Sequence, residues 1–170
     1  MLIRIREPNL NDAVQFIDFM KRSESLHSPW TIAPKTLNEF EQYIERIQQP
    51  NQKGLLVEVD EKNIAGVFNI NEIVFGCFQS AYLGFYATID YAGQGVMSAA
   101  LKLVLKHIFQ ELNLHRIEAN IQPGNKKSIQ LVQSNGFKKE GFSPKYLKID
   151  GEWRDHERWA ITYEDWSKVI

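Results

Sequence analysis

A single cysteine, Cys77, stands in a chain of 170 residues. No internal disulfide can form, and the composition fits a reducing compartment, the cytoplasm. No redox or metal motif surrounds Cys77, so it reads as a small half-buried residue of a strand. The four histidines, His27, His107, His115 and His156, lie far apart with no zinc-type spacing, and no metal is assigned. No apolar run reaches the roughly 20 residues that a membrane-spanning helix needs. The opening MLIRIREP lacks the long apolar region and the small-residue cleavage site of a signal peptide. An excess of one charge is missing too. The formal net charge is −1, so no global field draws in nucleic acid or a membrane surface, and no basic stripe marks a nucleic-acid face. Neither an internal repeat nor a low-complexity linker divides the chain. Its length suits one domain, residues 1–170, with a sizeable core. Hydrophobic residues at 44% and charged residues at 24% describe a soluble globular protein.

What is present is an ordered succession of patterns. LIRIR (Leu2–Arg6) alternates as a strand, and Pro8 ends it. Asn11 or Asp12 can cap a helix carrying Val14, Phe16, Ile17, Phe19 and Met20. Ser25–Pro34 reads as a loop. Thr36 with Glu39 forms a capping box. Behind it, Leu37, Phe40, Tyr43, Ile44 and Ile47 make the buried stripe of a second helix, closed by Pro50. GLLVEVD and NIAGVFNINEIV predict strands around a turn at Asp60–Asn63. SAYLGFYATI (Ser80–Ile89) predicts another, and Gly84 inside it suggests a bulge or a close backbone approach. Met97, Leu101, Val104, Leu105, Ile108 and Leu112 follow helical spacing, predicting a helix from about Gly95 to Leu112. HRIEANI (His115–Ile121) reads as a strand. A helix follows from about Lys126, with Gly136 just past its end. KYLKI and EWRDHERWAIT then read as strands joined by a hairpin turn at Asp150-Gly151. The order β, α, α, three β, α, β, α, β, β predicts an α/β protein, one mixed sheet of about seven strands with helices on both faces.

The stretch YAGQGVMSAALKLVLKHIF (Tyr91–Phe109) carries the chemistry. A strand, a glycine turn and a helix start form an anion-binding arrangement. The first helical N–H groups point outward, and the helix dipole favours negative charge. Gly93 and Gly95 lack the Cβ that would keep a phosphate away from the backbone. A nucleotide P-loop needs Lys and then Ser or Thr after its last glycine, but Val96 and Met97 stand there. A dinucleotide fingerprint needs a third glycine where this chain has Ser98. The glycine pair alone leaves two options open, a phosphorylated ligand or a tight turn made for packing.

Three separated segments, YLGFYATIDYAGQGVMSAAL, LHRIEANIQPGNKKSIQLVQSNGFKKEG and YLKIDGEWRDHERWAIT, together resemble the GNAT superfamily of acetyl-CoA-dependent N-acetyltransferases. Within it they are most similar to the Rim-type ribosomal-protein N-terminal acetyltransferases. The resemblance covers nearly the whole chain, is strongest from Tyr82 to Thr162, and matches the element order.

The resemblance implies a splayed, mostly antiparallel sheet and acetyl-CoA as co-substrate. The loop Ala92–Ser98, with Gly93, Gln94, Gly95, Val96, Met97 and Ser98, would wrap the pyrophosphate. The superfamily loop reads Gln or Arg, two free positions, Gly, one free position, then Gly or Ala. Aligned on Gly95, this chain departs from it with Ala92 first and Met97 last. Met97 can still donate its backbone N–H. Backbone groups near Phe85, Tyr86 and Ala87 would pair with pantetheine. Glu118 matches the glutamate that takes the amine proton, usually through water; the alternative is an ion pair with Arg116 on the same face. Many relatives carry an acid tyrosine where Val132 stands. The Rim-type branch instead resembles NKKS, with Ser128 against the sulfur and Tyr146 in reserve. Asn125 would cap this helix beside the pantetheine arm. Asp155 and His156 could orient the amine, and Trp30 could line the acceptor mouth.

The implied acceptor is a protein N-terminal α-amine. A small amine (polyamine, amino acid or aminoglycoside) and a non-catalytic acetyl-CoA sensor remain alternatives. A homodimer through an exposed sheet edge stays open.

Overall fold

Seven alternating or β-branched runs become strands: β1 (Ile3–Arg6), β2 (Lys53–Val59), β3 (Asn63–Val74), β4 (Ser80–Ala87), β5 (Arg116–Ile121), β6 (Lys138–Ile149) and β7 (Glu152–Thr162). The computed structural model describes all 170 residues and joins these strands into one sheet of order β1-β2-β3-β4-β5-β7-β6. Every adjacent pair is antiparallel except β4 with β5. Six helices accompany them: α1 (Ala13–Arg22), α2 (Glu24–His27), α3 (Leu37–Ile47), α4 (Val96–Lys106), α5 (Lys126–Ser134) and α6 (Tyr163–Ser167).

The helical stripes decide which face each helix covers. Phe16, Met20, Phe40, Tyr43 and Ile44 of α1 and α3 pack on Leu56, Val67 and Tyr86. Leu101, Val104 and Leu105 of α4 and Val132 of α5 pack on the opposite face, against Phe68, Ile117, Ala119 and Trp159. Phe16 and Phe40 are fully buried, and burial of each contributes about 1.5–3 kcal/mol. The capping box at Thr36 and Glu39 forms, with the Glu39 N–H donating to Thr36 Oγ1 at 3.2 Å. Asp150 and Gly151 both take positive φ (49° and 79°), the hairpin geometry their dipeptide favours.

Several local expectations are corrected. Cys77 is exposed in the turn between β3 and β4, because the alternation stops at Val74 and Gly76 (φ 71°) reverses the chain. Part of the expected Ser25–Pro34 loop is helical, since Ser28 N–H returns to the Glu24 carbonyl at 2.9 Å. Asp12 takes the N-cap position of α1 but makes no side-chain capping bond there; its carboxylate instead closes a capping box with Asn9, which accepts from the Asn11 N–H and starts a short 3-10 turn, Leu10–Asp12, ahead of α1. The long helix keeps α-geometry only to Lys106; His107–Glu111 is a π-turn in which Leu112 N–H reaches the His107 carbonyl. β6 begins at Lys138 rather than Lys145, with register shifts that leave Glu140 and the Pro144–Tyr146 segment out of the pairing, while Gly141 pairs with Arg158. Thr162 caps the unforeseen α6. Gly84 carries no bulge: it pairs in register with Asn69, and the irregularity sits between Asn71 and Val74.

The splay that places the site is a matter of partner choice. β4 pairs with β5 only over Ser80–Tyr82 and Arg116–Glu118. Beyond that point β4 stays with β3 to Ala87, and β5 stays with β7 to Ile121. A gap opens between them, and the amino ends of α4 and α5 follow from its two sides.

Candidate active site

The loop before α4 is anchored from α1. Arg22 holds the Asp90 carboxylate through two hydrogen bonds of 2.7 and 2.8 Å. Ile89 N–H donates to Ser23 Oγ at 2.9 Å, and Gln94 Nε2 donates to the Asp90 carbonyl at 2.7 Å. Gly93 and Gly95 then take φ of 74° and 78°, the left-handed region that other residues resist. A Cβ on either would meet nothing within 4 Å. These glycines therefore set the backbone's direction, and open space lies before them. No side chain caps α4. The N–H groups of Gly93, Gly95, Val96, Met97 and Ser98 donate to no acceptor in the protein. Met97 instead seats this turn on the sheet: a Cβ at Gly66 of β3 would lie 2.4 Å from the Met97 sulfur.

Ser98 is tied to the end of α5. Asn135 Nδ2 donates to Ser98 Oγ at 3.0 Å and to the Leu131 carbonyl at 2.8 Å. A carbonyl can only accept, so the amide nitrogen faces Ser98, and the serine proton is left to donate elsewhere.

Along the gap, the Thr88 N–H reaches the Ala65 carbonyl of β3 at 2.9 Å. Antiparallel alternation then turns the backbone groups of Tyr86 toward β3 and those of Phe85 and Ala87 into the gap. Of the three expected pantetheine contacts, Tyr86 is therefore spent on the sheet. The Ala87 carbonyl is also engaged, accepting from His27 Nε2 at 2.7 Å. Burial lowers the pKa of His27 below 6.5 against the opposing pull of that carbonyl, so the ring is neutral at pH 7.

Glu118 lies at the apex of the splay, paired in register with Tyr82. The ion pair with Arg116, the alternative to a proton-taking role, is formed: Nε and a terminal nitrogen of Arg116 bond Glu118 Oε1 at 3.0 and 2.8 Å. Both bonds fall on one oxygen, and Oε2 has no partner in the protein. Arg116 is also held by Glu140, and these carboxylates, Glu140 foremost, fix its charge. Tyr82 and Tyr146 complete the group. Burial raises the pKa of the Tyr82 hydroxyl, reinforced by the nearby Tyr146 and Glu118. Tyr146 meets His156 edge-on at 6.3 Å.

Ser128 sits in the first turn of α5, where its N–H donates to Asn125 Oδ1 at 3.3 Å; its hydroxyl has no partner in the protein. Val132 is fully buried in the core. Asp155 and His156, neighbours on β7, lie on opposite faces of the sheet. His156 is buried, while Asp155 is exposed and accepts the Lys145 N–H at 2.8 Å, holding the β6 bulge. Trp30 packs across Gly124, where a Cβ would lie 2.9 Å from its ring. A cavity of about 190 Å³ opens beside it, lined by Glu24, His27, Ile32, Lys35 and Asp150 but not by Trp30.

The family model of the acetyltransferase (GNAT) domain matches residues 3–138. The chain belongs to this family. Among GNAT relatives, it is 42% identical over 112 residues to the [ribosomal protein uS5]-alanine N-acetyltransferase of Escherichia coli K12. That match covers 66% of this chain and 58% of the relative, so it spans less than two thirds of the relative's length. Two solved GNAT structures superpose closely. Mycobacterium smegmatis RimJ in complex with CoA-disulfide has a TM-score of 0.88 at 26% identity, covering 95% of this chain and 82% of that one. The ribosomal-protein-S5-alanine acetyltransferase of Vibrio fischeri has a TM-score of 0.85 at 28% identity, covering 96% and 94%.

Residue patterns did not single out four residues that shape this candidate site. Tyr82 faces Glu118 only through strand register. His27 and Asn135 act through a backbone carbonyl and a serine far off in sequence. Arg22 reaches Asp90 across the fold. Only Asn135 left a trace, in the Asn-Gly pair that ends α5.

Proposed function

We propose that this chain transfers an acetyl group from acetyl-CoA to a primary amine, the α-amine of a protein N-terminus. One observation carries the reading: a row of unspent N–H groups at the start of α4 adjoins a splay whose apex presents the unspent Oε2 of Glu118. The residues present fit the co-substrate, since the glycines leave open space for an anion before that row. Gly93, Gln94, Gly95, Val96, Met97 and Ser98 would hold the pyrophosphate, the Ser98 hydroxyl adding a donor. Phe85 and the Ala87 N–H would meet the pantetheine arm beside Asn125. When bound, acetyl-CoA supplies an activated acyl carbonyl and a thiolate able to depart.

The residues supply the rest. An α-amine has a pKa of about 7.7–8.0 and needs modest help. Glu118 Oε2 takes its proton, directly or through water, while Arg116 holds the other oxygen still. The Ser128 hydroxyl, with no acceptor in the protein, donates to the departing sulfur; Tyr146 is the second candidate donor. The names of the E. coli and V. fischeri relatives support a ribosomal-protein-type acceptor, and the RimJ complex supports coenzyme A. The single cysteine supports a cytoplasmic setting.

The test is thiol release from acetyl-CoA across a panel of peptides, polyamines, amino acids and aminoglycosides. Fastest turnover with peptide α-amines is expected. Turnover with a polyamine alone would move the acceptor to a small amine. A thermal shift with acetyl-CoA but no turnover would mark a sensor.

A further inference from the structure

Asn135 closes α5 and precedes Gly136. An Asn-Gly pair at a helix end serves the backbone where one of the two turns left-handed. Here Gly136 alone does so, at φ 92°, while Asn135 stays at φ −104°. The backbone therefore does not require asparagine. Burial argues against it as well: the residue is buried, and its Oδ1 is sealed from water with no donor, a loss that destabilises a fold. What the asparagine supplies lies at its other end. Nδ2 donates to Ser98 Oγ at 3.0 Å and to the Leu131 carbonyl at 2.8 Å. That carbonyl also receives the Ser134 hydroxyl at 3.0 Å, so it does not depend on Asn135. The bond to Ser98 has no substitute.

Ser98 stands in the first turn of α4, within the row of free N–H groups. A serine in a helix tends to turn its proton back onto a carbonyl three or four residues earlier, which here means Gly95 or Gln94. Ser98 makes neither bond; its Oγ has one partner, the Asn135 amide. That amide nitrogen offers only hydrogens, so the serine proton cannot point at it and remains available to an acceptor outside the protein. Accepting one hydrogen bond also polarises the hydroxyl and strengthens the bond it gives. The carboxyl end of α5 thus holds a donor in place beside the amino end of α4, where an anion would sit.

We infer that Asn135 is a positioning residue: by donating to Ser98 Oγ it keeps the Ser98 proton off the helix carbonyls and directed to the pyrophosphate of the co-substrate. The inference rests on the acetyl-CoA reading above. Calorimetric titration of the full chain with coenzyme A, beside thermal unfolding, tests it in wild type, Asn135→Leu, Ser98→Ala and the double variant. Asn135→Leu keeps the branched outline and removes the sealed oxygen together with the amide; should it not fold, Asn135→Ala takes its place in the same cycle. Ser98→Ala should weaken coenzyme A binding about tenfold or more, the scale of one hydrogen bond to a charged group. Asn135→Leu should weaken it roughly 3- to 10-fold, the worth of one neutral hydrogen bond. In the double variant the loss should equal that of Ser98→Ala alone, because no hydroxyl remains to be aimed; a residue that merely closed α5 would add its own loss. Losses that multiply, or full affinity in either single variant, would overturn the role of Asn135, while wild-type binding and turnover keep the acetyl-transfer reading intact. A wild-type chain that binds no coenzyme A would overturn both.

Discussion

Replacing Gly95 with alanine puts one methyl group into the space before the free N–H row. Gly95 has φ of 78°, and nothing in the protein lies within 4 Å of the added carbon. Without ligand, the cost is backbone strain alone, about 1–2 kcal/mol for an L residue held left-handed. In a chain of this size, each kcal/mol moves the melting midpoint by about 2–4 °C, so Gly95→Ala should melt roughly 2–8 °C lower. Gly151, at the β6–β7 turn, has φ of 79° and equally open surroundings. Gly151→Ala therefore carries the same strain outside the N–H row and calibrates it. With ligand, the methyl at position 95 occupies the space the pyrophosphate would take. One lost charge-assisted hydrogen bond is about 1.5–3 kcal/mol, or roughly 10- to 150-fold in affinity. Calorimetric titration with coenzyme A, run beside thermal unfolding, separates the two effects. Both variants should melt alike, and only Gly95→Ala should lose affinity. Wild-type affinity in folded Gly95→Ala, or an equal loss in both variants, would refute the assignment of the site.

Glu118→Gln should lower turnover at pH 7 by about 10²–10⁴, with little change in melting, because Arg116 keeps Glu140. The deficit should shrink above the amine pKa of about 7.7–8.0, and wild-type turnover throughout that pH range would return Glu118 to a purely ionic role. Ser128→Ala should reduce kcat roughly 3- to 10-fold, the worth of one neutral hydrogen bond; if Tyr146→Phe is the damaging change and Ser128→Ala is silent, the donor is Tyr146. His27 contributes to pH-dependent stability. Burial lowers its folded pKa below 6.5, so the unfolded chain binds the proton first. Its contribution is complete above about pH 6.5 and is lost as the pH falls through that value toward the lower folded one. Comparing melts at about pH 5 and pH 7.5, His27→Gln should lose less than wild type; equal losses would place the acid sensitivity elsewhere.

Local signals were legible where one residue type answers one backbone demand. Gly93 and Gly95 announced a glycine turn before a helix, Thr36 and Glu39 a cap, and Asp150-Gly151 a hairpin, and all three stand in the structure, the first with left-handed φ at both glycines. Strand order and the splay were legible only through family resemblance, because they depend on which edges pair. The long β6 was missed since Gly141 and Pro144 read as strand breakers, and the bulges at Glu140 and Pro144–Tyr146 that let the strand continue leave no periodic mark. At the site, the Arg116–Glu118 pair followed from spacing along one strand. That both bonds fall on Oε1, leaving Oε2 free, depends on where Glu140 draws the guanidinium. Asp155 and His156 looked like a unit because they adjoin in sequence. Strand alternation sends them to opposite faces, one buried and one exposed.

The most direct test of the central claim uses a peptide that begins with alanine and carries one internal lysine. Incubated with the wild-type chain and acetyl-CoA, it is fragmented in a mass spectrometer to locate any acetyl group. The α-amine, with a pKa of about 7.7–8.0 against about 10.4 for lysine, should carry the acetyl group, and the lysine none. No acetyl group on the peptide, or one on the lysine alone, would contradict the account.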